Sequence, residues 1–302
     1  MDLIFAFIAS FLWGTTYSVT QHFLSGWPPL LLGTLRALPA GLLLLALRPQ
    51  IPRKRVLFKL SIIGIINIGA FFVCIFIMAL NLPSAISSVG MMSVPVFAMA
   101  IQWGVMKQTP SRVQILSGIG LVVIAVSLFN PGSIQLSPLG LMAMVVAVIC
   151  IIIGSVLTKT LNKQVHWWSV VTWQLISGGV VLLALCCVDM YIHPHQYIEV
   201  LTSFSIENTI GLGWIILVNT ALAYSLYVWA LQHLSIVEFT FSGVANPMAG
   251  VMGGFILSGE SYTGSQYLLM FAMVAMSLLP NILKSIKTKN KQSSDSIEIK
   301  IK

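Results

Sequence analysis

Residues 60–80 read LSIIGIINIGAFFVCIFIMAL, a run without one charged side chain, entered from Arg53-Lys54-Arg55 and Lys59. A lipid hydrocarbon core about 30 Å thick needs roughly 20 apolar residues of helix, so this stretch predicts a membrane-spanning helix. A window of that size, moved outward along the chain, predicts further spans at 3–21, 29–47, 84–106, 113–129, 138–157, 168–188, 209–231, 236–258 and 264–282. Composition agrees: 57% of the 302 residues are hydrophobic and 8% are charged, where a soluble domain carries about 25% charge. A water-soluble globule and a disordered chain are both excluded. The four cysteines, Cys74, Cys150, Cys186 and Cys187, show no CxxC or Cys/His spacing and read as apolar fillers, not as a disulfide framework or zinc site. Met1-Asp2-Leu3 opens without a basic region or a later cleavage site, so residues 1–20 are expected to be the first helix and not a signal peptide.

A net charge of +8 invites a nucleic-acid reading until the basic residues are located. Arg48, Arg53, Lys54, Arg55 and Lys59 follow the second span, Lys107 and Arg112 the fourth, Lys159 and Lys163 the sixth, and six lysines from Lys284 to Lys302 follow the last. The intervening loops hold no Lys or Arg, while Asp189, Glu199, Glu207 and Glu260 fall on that other side. Under the positive-inside rule both termini are expected in the cytoplasm. The basic excess is thus a topology signal, and no nucleic-acid partner is expected.

A faint duplication runs through the chain. At an offset of 152, Asn67 meets Asn219, Leu82 meets Leu234 and Pro95 meets Pro247; the second and seventh spans also correspond, at a different offset, with Leu35-Arg36-Ala37-Leu38 opposite Trp173-Gln174-Leu175-Ile176. Five helices per copy is an odd number, so the second copy must enter the bilayer from the opposite side. The expected fold is therefore an all-α integral membrane protein of ten transmembrane helices, arranged as two inverted five-helix repeats. Such repeats can open a midplane cavity alternately to each face. The expected units are 1–134 and 135–282, joined near Asn130-Pro131-Gly132, with a basic cytoplasmic tail at 283–302.

Trp13-Gly14, Trp27-Pro28-Pro29 leading into Leu35-Arg36, and Asn246-Pro247 followed by Gly259-Glu260 resemble the EamA-like branch of the drug/metabolite transporter superfamily over about residues 1 to 281. The resemblance implies a secondary carrier in the plasma (inner) membrane, with export of an amino acid or related small metabolite as the expected traffic. The chain has Met106-Lys107 where the family frequently has Gly-Glu, so Glu260 has no partner copy, and Gln174 stands where the other half has Arg36.

Arg36 is the sharpest single feature, because a charge deep in a span costs roughly 2.5 to 3.5 kcal/mol and no Asp or Glu lies deep in any predicted span. It is expected either to contact an anionic group on the cargo or to tie down carbonyls and amides. Asn67 and Asn219 need hydrogen-bond partners within the bundle, as interhelical glue or as cavity lining. Trp13, Thr16, Tyr17, Gln174, Tyr224 and Tyr227, with Trp229, are candidates for the walls of the substrate site. Pro95 and Pro247 are candidate hinges or static kinks, and Glu260 is a candidate gate or an ordinary cap. Gly250, Gly254 and Ser258 read as a packing stripe. His193-Pro194-His195 is too few ligands for a metal, and no GxxxxGK[ST] loop exists, so neither metal nor cofactor is expected. No HExxH or Ser-His constellation suggests an enzyme. An intramembrane enzyme, a channel and a non-transporting scaffold are the competing readings. The expected partners are a small-molecule substrate and the lipid bilayer, with the chain a monomer or homodimer.

Overall fold

The computed structural model describes residues 2–94, 97, 103, 109, 111–128, 136–161, 165–233, 243, 245–276, 278–280 and 282–283, and every regular element among them is helical. In chain order these include α1 (Asp2–Phe23), α2 (Pro29–Leu47), α3 (Lys54–Gly64), a π-helical segment (Ile65–Ala70) and α4 (Phe71–Asn81). Then come α5 (Ser84–Gly90), α6 (Arg112–Leu128), α7 (Pro138–Thr160), α8 (Trp167–Ile192) and a short α9 (Pro194–Thr202). The chain continues through α10 (Ile206–Gly213), a second π-helical segment (Trp214–Leu222), α11 (Ala223–His233) and α12 (Ala245–Leu257). Residues 264–276 form α13.

Five of these helices are long and apolar enough to cross a membrane: Pro29–Leu47, Lys54–Asn81, Pro138–Thr158, Trp167–Ile192 and Ile206–Ala230. Their apolar residues are not confined to a core-facing stripe. Leu116, Met142, Val180 and Ile256 project outward while Leu121, Ala147, Leu182 and Ala249 are buried, the all-round hydrophobicity of helices solvated by lipid. The predicted joint near Asn130-Pro131-Gly132, the candidate hinge Pro95 and the basic tail lie outside the described residues.

Two helix pairs organise the interior. Helix α2 packs along α8, the most extensive pair among the described residues, and α1 packs along α12. The first pair runs antiparallel: Gly179 faces Leu38, Gly41 faces Leu175 and Ile176, and Trp168 Nε1 donates to the Leu44 carbonyl at 3.0 Å. Close approach requires glycine where α3 crosses α8. A Cβ on Gly178 would sit 2.6 Å from the Gly64 carbonyl oxygen, and one on Gly64 would sit 2.6 Å from that of Gln174. The two π segments end at Ala70 and Leu222 and hold Asn67 and Asn219. Each inserts about one residue into its helix, a distortion that turns side chains off the regular helical stripe and frequently marks functional sites.

Candidate functional site

Arg36 sits mid-way along α2 with 2% of its surface exposed. Its Nε donates to Thr220 Oγ1 at 2.9 Å, and its Nη2 reaches the Asn219 carbonyl at 3.5 Å. Both acceptors belong to the second π segment, where Thr220 Oγ1 also donates to the Ile215 carbonyl at 2.7 Å. The guanidinium lies 4.2 Å over the Phe72 ring, with Phe76 at 5.8 Å. A desolvated guanidinium on an aromatic face gains about 2 kcal/mol, and each charged hydrogen bond about 1.5 to 3. Neutral groups therefore carry this cation, and no carboxylate is paired with it among the described residues.

Around it the structure gathers most of the candidates read from sequence. The Asn219 side chain donates to Thr16 Oγ1 at 2.6 Å and accepts from Thr15 Oγ1 at 3.3 Å. Trp13 lies against both Tyr224 and Tyr227, tilted 56° to each with centroids 4.8 Å away, and Tyr224 lies edge-on to Phe72 at 5.5 Å. Tyr17 and Tyr224 are close enough to the guanidinium to interact with its charge, and Tyr17 approaches Asn246 at the start of α12. Trp13 Nε1, the Tyr224 hydroxyl and Asn246 Oδ1 are buried with no hydrogen-bond partner among the described residues.

A second polar cluster mirrors the first. Asn67, in the first π segment, donates to Gln174 Oε1 at 3.0 Å, and Gln174 donates to Thr158 Oγ1 at 3.0 Å. The two clusters meet along α7, where Gly154 backs directly onto the Asn67 side chain and Ser155 shares a 2.7 Å hydrogen bond with Tyr227. Arg36 on α2 thus reaches the π segment of residues 214–222, as Gln174 on α8 reaches that of residues 65–70.

The other candidates are placed elsewhere. Trp229 packs on Phe5 and His233, away from the guanidinium. Pro247 lies in the first turn of α12, where its missing N–H removes no intrahelical bond. Glu260 caps not its own following helix, which Thr263 and Gln266 serve, but α5: Oε1 accepts from Ser84 N at 2.6 Å and Oε2 from Ala85 N at 3.2 Å. Pro83, at the cap position of α5, has no side chain able to do this. Gly254 leaves room for that carboxylate and Gly250 for Ser88, so the glycine stripe packs α12 on α5. Tyr262 donates to Glu260 at 2.8 Å; burial, then the neighbouring carboxylate, pushes its phenol well above the ordinary value, so it remains a donor at any physiological pH. His193 pairs with Asp189 at 3.0 Å, and no metal-binding group of three ligands exists among the described residues.

Thr220, Phe72, Phe76, Thr15 and Asn246 belong to the site without having been singled out as wall residues. Phe72 and Phe76 carry the four-residue spacing of one helix face, and Thr220 adjoins Asn219, but nothing else in the sequence marks them.

Comparison with known proteins gives one answer. The EamA-like transporter family matches residues 1–130 and 138–281. Protein PecM of Dickeya dadantii is 30% identical over 281 residues, covering 92% of each chain. The Escherichia coli (strain K12) protein named "Uncharacterized inner membrane transporter YedA" is 25% identical, over 88% of this chain and 87% of its own. A Salmonella typhimurium protein named "Probable amino-acid metabolite efflux pump" is 23% identical over 88% and 89%. One crystal structure superposes with a TM-score of 0.66 at 15% identity, covering 93% of this chain and 96% of that one, a likeness of fold.

Proposed function

Because the chain belongs to the EamA-like transporter family, and because its buried guanidinium has only neutral partners among the described residues, we propose that it is a secondary carrier exporting a small carboxylate-bearing metabolite, such as an amino acid, across the inner membrane. The observation that carries this reading is Arg36, a cation in the middle of the bundle without a counter-ion among the described residues. An anionic group on the cargo completes it. Trp13 Nε1 and the Tyr224 hydroxyl, both buried without partners among the described residues, supply two further donors in the same cluster. Phe72, Trp13 and the tyrosines supply apolar walls, the balance of apolar lining and few polar groups usual in small-ligand sites. The names of the relatives that mention transport and efflux support the class and direction.

Alternating access is the mechanism this reading requires. Ten spans in two inverted repeats, 1–134 and 135–282, with both termini cytoplasmic, supply its geometry. Three features support that arrangement: the family match falls in two stretches on either side of the predicted joint, α2 and α8 pair antiparallel as copies related by an in-plane two-fold axis must, and the π segments end 152 positions apart, the offset of the sequence duplication. In this scheme Glu260 is an outer latch holding α5 to the end of α12, and Pro95 is the hinge that absorbs the helix movement. No catalytic role is assigned to any residue.

Metabolite profiling of cytosol and medium with and without the protein identifies the cargo, and counterflow in proteoliposomes tests the carrier. Arg36→Gln is expected to leave the protein folded and to abolish counterflow of that cargo. Undiminished counterflow by the variant would remove Arg36 from the site.

A further inference from the structure

The connection from α2 to α3 and the first two turns of α3 carry Arg48, Arg53, Lys54, Arg55 and Lys59, all exposed. None of the five is paired with a carboxylate among the described residues. The bundle itself keeps most carboxylates away. Helix α8 runs antiparallel to α2, so Asp189 lies at its far end, about 30 Å from Ser169 at 1.5 Å per residue. Glu199, in the short helix bonded to Asp189, Glu207, beside the end of α1, and Glu260, on the N-terminus of α5, share that far end. Asp2, at the start of α1, forms no ion pair.

The patch is held in place and has an apolar continuation. Trp173 Nε1 donates to the Gln50 carbonyl at 2.7 Å. With its amide turned to satisfy both neighbours, Gln50 donates to Ser169 Oγ at 2.8 Å and accepts from Arg48 Nε at 2.9 Å. The connection is therefore fastened to α8 and is not a loose run of like charge. On α3, Leu60, Ile63 and Gly64 are buried toward the bundle, whereas Arg55, Phe58, Lys59 and Ile62 are exposed. Those four follow the i, i+3, i+4, i+7 spacing of one helix face, and Ile65 extends it, also exposed. This outward face begins in two cations and goes on in apolar side chains, in the sense of a phospholipid's headgroup and tails.

We propose that this patch binds one anionic phospholipid, with its phosphate held by Arg55 and Lys59, its charge balanced by Arg48, Arg53 and Lys54, and its acyl chains laid along Phe58, Ile62 and Ile65. The inference goes beyond the carrier reading and does not depend on what is carried. A free phosphate would use the cations alone and leave the apolar stripe unexplained. Phosphatidylcholine would bring a further cation into a patch that already has five without a carboxylate, so a lipid of net negative charge is the occupant that complements it.

The test is native mass spectrometry of the full chain, titrated in detergent with phosphatidylglycerol or with phosphatidylcholine of the same acyl chains. One phosphatidylglycerol per chain is expected to be retained well above phosphatidylcholine. Each basic side chain near a membrane surface is worth about fivefold in affinity for anionic lipid, so the double variant Arg55→Gln, Lys59→Gln is expected to weaken retention roughly ten- to thirtyfold. The double variant Lys289→Gln, Lys291→Gln removes the same charge from the tail and is expected to retain the lipid as the unmodified chain does. Millimolar inorganic phosphate is expected not to displace it. Equal retention of the two lipids, undiminished retention in the α3 variant, equal loss in both double variants, or displacement by phosphate overturns the proposal. Neither Arg55 nor Lys59 forms an ion pair or side-chain hydrogen bond among the described residues, so both variants are expected to fold. Lys59→Gln alone, with a loss of about fivefold, serves where the double variant is not recovered.

Discussion

At the scale of single residues, the two polar clusters differ in charge and so in what a substitution costs. Arg36→Lys keeps the charge but loses the planar fork that bonds Thr220 and lies on Phe72. Forfeiting one charged hydrogen bond of about 1.5 to 3 kcal/mol is expected to slow counterflow by roughly ten- to a hundredfold, and initial-rate flux measurements read it. Gln174→Leu instead strands the Asn67 and Thr158 side chains, each bonded to Gln174 and buried. A loss of about 1 to 3 kcal/mol of stability is expected, read by thermal unfolding in detergent. Arg36 was legible because a charge inside an apolar run has few innocent explanations, and the matched asparagines because a duplication aligned them. Thr220 and Phe72 were not legible, since a hydroxyl or a phenyl ring in a membrane helix is ordinary until geometry places a cation against it.

At the scale of elements, hydropathy gave the long helices to within a few residues, whereas the π segments have no compositional signature. They arise from packing, where Asn67 and Asn219 turn inward toward partners on α8, α1 and α2. The cap of α5 was equally invisible, because its carboxylate comes from residue 260, far along the chain. Glu260→Ala is expected to cost about 0.5 to 2 kcal/mol in unfolding free energy, the range for a lost N-terminal cap; an unchanged melting temperature would count against the latch. At the start of α8, His166 Nδ1 accepts from Trp168 N at 3.2 Å, a role open only to the neutral ring. Burial and then the nearby Arg48 hold its pKa below the usual histidine value, so the folded chain binds fewer protons there than the unfolded one. That contribution is present above about pH 6.5, the ordinary histidine value, and is lost as pH falls through the depressed one. His166→Asn, which retains a capping acceptor, is expected to flatten this part of the stability–pH curve.

At the scale of the whole molecule, the charge distribution predicts a topology with both termini in the cytoplasm. A cysteine added after Lys302 and one replacing the exposed Tyr191 are expected to react with an impermeant thiol reagent from opposite faces of the membrane, the second from outside. Labelling from the same face would undo the five-plus-five count. The unequal pairing of α2 and α8 with the two π segments carries one more consequence. In the proposed inverted-repeat scheme the two halves trade shapes in each cycle, so one of the two contacts tightens as the other relaxes. A guanidinium lodged on Thr220 and an amide lodged on Asn67 do not release at equal cost. The empty carrier then dwells longer on one side of the membrane than the other, and a near-symmetric scaffold acquires a preferred resting posture from a single unlike pair.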